Sequence, residues 1–106
     1  MSSKLTIGYS VLRERIQNIT PPVERPDWET VIVVQNPGEE SWQLADFPKL
    51  KGREDLSAEE LQSIGVAKSR TRAIWLAKGE YLVFADDDIV FNEDGLTAAI
   101  SYLDSN

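Results

Sequence analysis

The stretch that most constrains the fold runs over residues 82–90, where an apolar segment ends in three consecutive aspartates. A buried strand cannot carry three unpaired carboxylates, because each would lose its hydration without compensation. We therefore expect a strand to leave the sheet at Asp86, with the acids at its carboxyl end, where ligands bind in open α/β sheets. Since side chains alternate along a strand, Asp86 and Asp88 should project together and Asp87 should point away from them.

The two outer aspartates form a candidate metal site. Two carboxylates on one side of a strand end suit a hard divalent cation such as Mg²⁺ or Mn²⁺. The chain contains no cysteine and no histidine, so thiolate chemistry and the usual zinc ligands are excluded. The alternative is a solvated acidic turn that leads into a helix capped by Asn92.

Length and charge limit the kind of protein this is. With 106 residues, of which 42% are hydrophobic, the chain is expected to form one globular domain over residues 1–106. The net charge of −7 argues against nucleic acid or an anionic membrane surface as the main partner. No apolar stretch approaches the ~20 residues of a membrane span, and no signal peptide is visible before the first strand-like run. We therefore predict a cytoplasmic protein.

Strand and helix patterns alternate along the chain. This alternation predicts a three-layer α/β fold with a mainly parallel sheet. The apolar runs predict strands at Leu5–Tyr9, Thr30–Val34 and Tyr81–Ala85, and helical spacing predicts helices over about residues 13–19, 66–77 and 93–103. Residues 39–56 have no clear period and could contain a short edge strand. A capping-box pattern at residues 57–60 predicts a further short helix that ends at Gly65.

One arginine stands out in the helix that begins at residue 66. Arg70 lies in the middle of a sector of roughly 100° that also holds the apolar residues Val66, Ala73, Ile74 and Ala77. A guanidinium directed at the interior needs a negative partner, because it cannot lose its proton. We expect Arg70 to reach the aspartates or a bound phosphate, and Arg72 to be exposed. The alternative is an Arg70 side chain whose charged end extends to water.

Two segments of the chain resemble a known family. Residues 65–70 (GVAKSR) and 77–88 (AKGEYLVFADDD) are similar to the family 2 glycosyltransferases with a GT-A fold. Those enzymes have a helix with small residues and an arginine, a short link containing Gly-Glu-Tyr, and a strand that ends in a D-x-D motif. The resemblance implies a Rossmann-like nucleotide-binding half and transfer of a sugar from a nucleotide-diphosphate donor to an acceptor.

The resemblance also implies roles for the aspartates and the arginine. Asp88, as the last residue of D-x-D, would bind the divalent metal, Mn²⁺ or Mg²⁺. Asp86 would contact the donor ribose or sugar, or the metal through water, and Asp87 is grouped with the donor-binding residues. Arg70 matches an arginine of the donor site.

Further donor-site positions follow the first two strands. Tyr9 and Ser10 stand where the family lines the nucleotide pocket. Gln35 and Asn36 occupy positions where the family usually has a pair of carboxylates, one of which reads the nucleobase. An amide can still donate to and accept from a base edge, so both residues are candidates for nucleotide binding.

The chain ends soon after Asp88, before the acceptor-binding half that supplies a general base in this family. We therefore expect no turnover by these residues alone, and an exposed apolar surface that promotes self-association. One alternative is a non-catalytic module that binds a metal and nucleotide or a partner protein. Another is a phosphohydrolase of the haloacid dehalogenase type, whose D-x-D-x-[TV] motif matches residues 86–90 but opens the chain in those enzymes.

Overall fold

The computed structural model describes residues 3–105. It contains four strands and two α-helices: β1 (Leu5–Leu12), β2 (Trp28–Gln35), β3 (Leu56–Leu61), α1 (Val66–Leu76), β4 (Tyr81–Ala85) and α2 (Glu93–Asp104). Two 3-10 helices, Arg13–Asn18 and Leu44–Asp46, lie in the connections. None of the helices in this part of the chain is both long and apolar enough to cross a membrane.

The four strands form one sheet in the order β3-β2-β1-β4, and every pairing is parallel. The predicted parallel sheet is confirmed, and each of the three predicted strands lies within an observed one. β1 is central and pairs with both β2 and β4, so that Tyr9 lies opposite Ile32 and Ala85. The carboxyl ends of these strands therefore meet at one edge of the sheet.

Apolar side chains cover both faces of the sheet. One face carries the larger core, which includes Ile7, Tyr9, Ile32 and Val34 and against which α2 packs. On the other face, Val31 and Val33 of β2 pack against Ala73 of α1. This arrangement explains why the strand sequences are continuously apolar, since both faces are covered.

The predicted helix over residues 57–65 is wrong. Leu56–Leu61 forms the edge strand β3, which pairs with β2 from Thr30↔Leu56 to Gln35↔Leu61. β2 is buried along residues 30–35, and its backbone groups on that side need hydrogen-bond partners. A capping box contributes about 1 kcal/mol, which is less than the cost of leaving several buried peptide groups unpaired.

A close contact fixes the connection from α1 to β4. The backbone N–H of Gly79 donates to Oγ1 of the fully buried Thr6 at 2.8 Å, and Thr6 Oγ1 donates to Glu29 Oε2 at 2.5 Å. A Cβ at Gly79 would lie 2.6 Å from the backbone nitrogen of Thr6. Only glycine allows this approach, which sets the position of β4 beside β1.

Candidate functional site

The acidic segment begins where β4 ends. Ala85, the last strand residue, is buried, whereas Asp86 and Asp88 are exposed. The backbone N–H of Ile89 donates to the carbonyl oxygen of Asp86 at 3.2 Å, so the chain turns here. Within residues 3–105, neither the Asp86 nor the Asp88 carboxylate forms a salt bridge or a side-chain hydrogen bond.

The middle aspartate has a different environment. Asp87 Oδ2 accepts hydrogen bonds from Arg15 Nε and Asn18 Nδ2 at 2.9 and 3.3 Å, and Arg15 Nη2 lies 2.9 Å from the same oxygen. Only 13% of the Asp87 side chain is exposed. Burial alone would raise the pKa of Asp87, but the hydrogen bonds from Arg15 and Asn18 outweigh it and lower that pKa. Asp87 thus faces the 3-10 helix that follows β1.

Two further contacts hold the turn. Val90 forms a parallel bridge with Thr20, and the Phe91 ring packs edge-on against Tyr9 with centroids 6.3 Å apart. Tyr9 is fully buried and donates from its hydroxyl to the carbonyl oxygen of Thr20 at 3.2 Å. Burial raises the pKa of Tyr9 to about 12, so its hydroxyl stays protonated. Tyr9 therefore packs against the segment that follows the acidic turn.

Arg70 is exposed, so the prediction that it points into the interior is wrong. Ser69 and Ala73 form the buried line of α1, and Ile74 is 56% exposed. A Cβ at Gly8 of β1 would lie 3.4 Å from the Ala73 Cβ, so the small residues on both elements allow close packing. This packing rotates the helix away from the expected phase. The side chain of Val66 lies outside the described residues.

Arg70 nevertheless extends toward β4. Its guanidinium carbon lies 5.5 Å from the centre of the Phe84 ring. Phe84 lies on the face covered by α1, and alternation along β4 predicts that Asp86, the next residue but one, lies on the same side. The expected exposure of Arg72 is confirmed, and Arg72 Nη1 pairs with Glu59 Oε1 at 3.0 Å.

Gln35 connects three elements at the same edge. Its Oε1 accepts the backbone N–H of Gly65 at 2.7 Å, and its Nε2 donates to Ser10 Oγ at 3.3 Å. The Ser10 hydroxyl is also hydrogen-bonded to the hydroxyl of Ser69 on α1. Gln35 is buried, so its amide holds the ends of β1 and β2 against the start of α1.

Asn36 is likewise engaged within the protein. Its Nδ2 donates to the Glu40 carbonyl oxygen at 2.7 Å and to Glu60 Oε1 at 2.9 Å, and only 2% of the residue is exposed. Trp42 Nε1 also donates to Glu60 Oε1, at 2.5 Å. Hydrogen bonds from Asn36 and Trp42 lower the pKa of Glu60. Sequence reasoning missed Glu60 because it placed this residue in a helix.

The candidate site is an open edge, and concave regions of the described residues lie elsewhere. One, of about 470 Å³, lies between β3 and α1 and includes Lys68 and Trp75; another, of about 570 Å³, is at the amino ends of the strands. Among residues 3–105, no group of three or more His, Cys, Asp or Glu side chains is arranged to hold a metal. Any cation at Asp86 and Asp88 would need further ligands from outside these side chains.

Comparison with known proteins agrees with this architecture. The family model described as "Glycosyl transferase family 2" matches residues 9–106. Among solved structures, S. aureus TarS 1-349 is similar, with a TM-score of 0.69 and 21% identity over 96% of this chain. The present chain covers 32% of that chain. A search of curated proteins by sequence found no match.

The parallel sheet with helices defines an α/β protein whose fold is similar to that of the GT-A glycosyltransferases. Because the family model covers most of its length, the chain belongs to glycosyl transferase family 2.

Proposed function

We propose that this chain is a donor-binding region of a family 2 glycosyltransferase, and that it binds a nucleotide-diphosphate sugar through a divalent cation at Asp86 and Asp88. The observation that carries the proposal is the pair of exposed carboxylates at the carboxyl end of β4, in a chain that matches this family over residues 9–106.

The chemistry of the two carboxylates fits Mn²⁺ or Mg²⁺. Both ions prefer oxygen ligands, and Mg²⁺ is commonly held by one or two carboxylates together with substrate phosphates and water. Two aspartates without an internal ion pair therefore suit a cation that arrives with a diphosphate. When bound, such a cation neutralises the charge that develops on a departing diphosphate.

Arg70 supports the same proposal. Within the described part of the chain its guanidinium has no carboxylate within salt-bridge distance, and it lies over Phe84 on the Asp86 side of β4. A guanidinium can donate several hydrogen bonds to a phosphate in a planar arrangement. We propose that Arg70 contacts the donor diphosphate.

We propose that four residues in or just after β1 and β2 form the floor of the site. Tyr9, Ser10, Gln35 and Asn36 are already hydrogen-bonded within the protein, so we propose that they shape the nucleotide pocket mainly through these bonds. The exposed atoms of Ser10 remain available to the ligand, because Ser10 is only partly buried.

Calorimetric titration tests the proposal. The chain is titrated with UDP, GDP and TDP sugars, with and without Mn²⁺, and Asp88→Asn is compared with Glu54→Gln. Glu54 is an exposed carboxylate near the amino ends of the strands, so its substitution changes charge equally but far from the site. We expect metal-dependent binding of one nucleotide that Asp88→Asn abolishes and Glu54→Gln preserves.

Binding that is independent of metal, or that Asp88→Asn leaves intact, would contradict the proposal. Metal-dependent binding without sugar transfer is the result expected of these residues alone, and it is shared by the alternative of a non-catalytic module. Transfer by these residues alone would contradict the expectation that they do not turn over.

Two other expectations stay predictions: self-association and a cytoplasmic location. Large apolar side chains are exposed on both helices, among them Ile74, Trp75 and Tyr102. Such a surface favours association between chains. Light scattering over a range of concentrations measures this, and a monomer at high concentration would contradict it.

A further inference from the structure

The middle aspartate of the acidic run has a set of partners that the proposed function does not use. Asp87, Arg15 and Asn18, here called the Asp87 cluster, join the turn after β4 to the 3-10 helix after β1. Three donor atoms surround a single oxygen, Asp87 Oδ2, at 2.9 to 3.3 Å. Arg15 approaches this oxygen with both Nε and Nη2, and Asn18 adds a third donor, so Oδ2 is held in place from two residues.

The cluster restricts the direction of the neighbouring side chains. Asp87 lies at the corner of the turn closed by the Ile89–Asp86 hydrogen bond, and its carboxylate is held toward Arg15. Fixing this corner residue restricts the backbone that carries Asp86 and Asp88 on either side. Both of these residues are in fact exposed. The turn is attached to the same part of the chain once more, through the Thr20–Val90 bridge. The Asp87 cluster thus acts on the orientation of the acidic turn.

The cluster acts mainly on the turn rather than on the whole domain. The Asp87 carboxylate is largely buried, but the Arg15 side chain is 51% exposed, so solvent screens the pair and reduces its contribution to global stability. Arg15 belongs to a different element, 72 positions away in sequence, and places two nitrogen atoms close to Asp87. A turn that is simply exposed to solvent does not need such a partner. The contribution of these contacts is therefore local.

We propose that Arg15 and Asn18 are positioning residues for the cation site and act through Asp87. The proposal rests on the proposed function, because it assigns Asp86 and Asp88 to the cation. Residues that orient metal ligands without touching the metal typically change metal affinity by about 10- to 100-fold when substituted.

The test combines binding with a local structural measurement. Arg15→Gln and Arg15→Lys are titrated with Mn²⁺ and whichever of UDP, GDP or TDP binds the parent chain best. Arg72→Gln is the matched control, because Arg72 is also about half exposed and paired with one carboxylate, but on the far side of α1. Amide hydrogen exchange at Ile89, whose N–H is bonded to the Asp86 carbonyl, reports the order of the turn without any ligand.

We expect Arg15→Gln to weaken binding roughly 10-fold or more and to accelerate exchange at Ile89. Arg15→Lys should restore part of the binding, because the charge returns without the planar pair of donors. Arg72→Gln should match the parent chain in both measurements. The double variant of Arg15→Gln with Asp87→Asn should bind no more weakly than Asp87→Asn alone, because both substitutions remove the same interaction.

Parent-like binding by Arg15→Gln would overturn the inference, as would unchanged exchange at Ile89. Additive losses in the double variant would also overturn it, because they would indicate that Arg15 contacts the ligand directly. A parent chain that binds none of the nucleotides with Mn²⁺ would refute the proposed function, on which the positioning role rests. A parent chain that binds one of them, together with parent-like binding by Arg15→Gln, would refute the positioning role alone, so the two failures are distinguishable.

Discussion

Substitution of Gly79 by alanine should destabilise the domain strongly, because the added side chain would collide with a neighbouring strand. The added Cβ would lie 2.6 Å from the Thr6 backbone nitrogen and 2.7 Å from the Leu5 carbonyl carbon. These atoms belong to the central strand β1, which pairs on both sides and cannot move easily. The connection to β4 must therefore shift instead.

The size of the effect follows from what that shift breaks. Overpacking in a close contact costs about 1–3 kcal/mol. Loss of the Gly79–Thr6 hydrogen bond would leave the fully buried Thr6 hydroxyl short of a partner, at about 1–3 kcal/mol. Alanine in place of glycine recovers about 0.4–1 kcal/mol by restricting the unfolded chain. We expect a net loss of about 2–4 kcal/mol in the free energy of unfolding.

Urea denaturation followed by tryptophan fluorescence measures this loss. For a small domain with a urea dependence of about 2 kcal/mol per molar, the midpoint should fall by about 1–2 M. Gly38→Ala is the matched control, since its Cβ would have no neighbour closer than 3.9 Å, the Glu40 Cγ. If Gly79→Ala unfolds at the same urea concentration as Gly38→Ala, the argument from close contact is wrong.

Two further predictions concern surface carboxylates. A hydrogen bond from Lys4 lowers the pKa of Asp104, so the stability that this bond provides is present at neutral pH and is lost as the pH falls through the lowered pKa. Asp104→Asn should therefore lower the melting temperature at pH 7, and the melting temperature of the variant should fall less between pH 7 and pH 3 than that of the parent chain. The same pH profile in both chains would refute this. Glu60→Gln should weaken the hydrogen bond that the Trp42 indole donates to residue 60 and so make Trp42 more mobile. Acrylamide should then quench the Trp42 fluorescence more strongly, measured in a background where the exposed Trp75 is replaced by Phe. Equal quenching with and without Glu60→Gln would contradict the idea that Glu60 holds Trp42 in place.

The sheet could be predicted from sequence because its central strands are covered on both faces. Residues 30–34 of β2 are all buried, and such a run leaves little choice of structure. β3 could not be predicted in the same way, because an edge strand is half solvated. Ser57 and Ala58 are exposed, so no apolar run marks the strand. Its conformation depends on pairing with β2, which lies more than twenty residues earlier.

The candidate site was predictable to the extent that it depends on strand geometry. The position of the three aspartates followed from the end of an apolar run, but the partners of Asp87 did not, because Arg15 is 72 residues away. The direction of Arg70 depended on the rotation of α1, which is set by the contact between Gly8 and Ala73 on different elements. A helical wheel does not contain that information.

The polar residues at the carboxyl edge fall into two groups according to their partners. Gln35, Asn36 and Asp87 are held by hydrogen bonds within the protein, whereas the Asp86 and Asp88 carboxylates have no such partners within residues 3–105. A buried amide or carboxylate that changes partner to reach a ligand must first give up these bonds. The free carboxylates carry no such cost, because water is all that a ligand displaces there. A ligand should therefore bind first to Asp86 and Asp88. The residues that are hydrogen-bonded within the protein should fix the geometry of that binding.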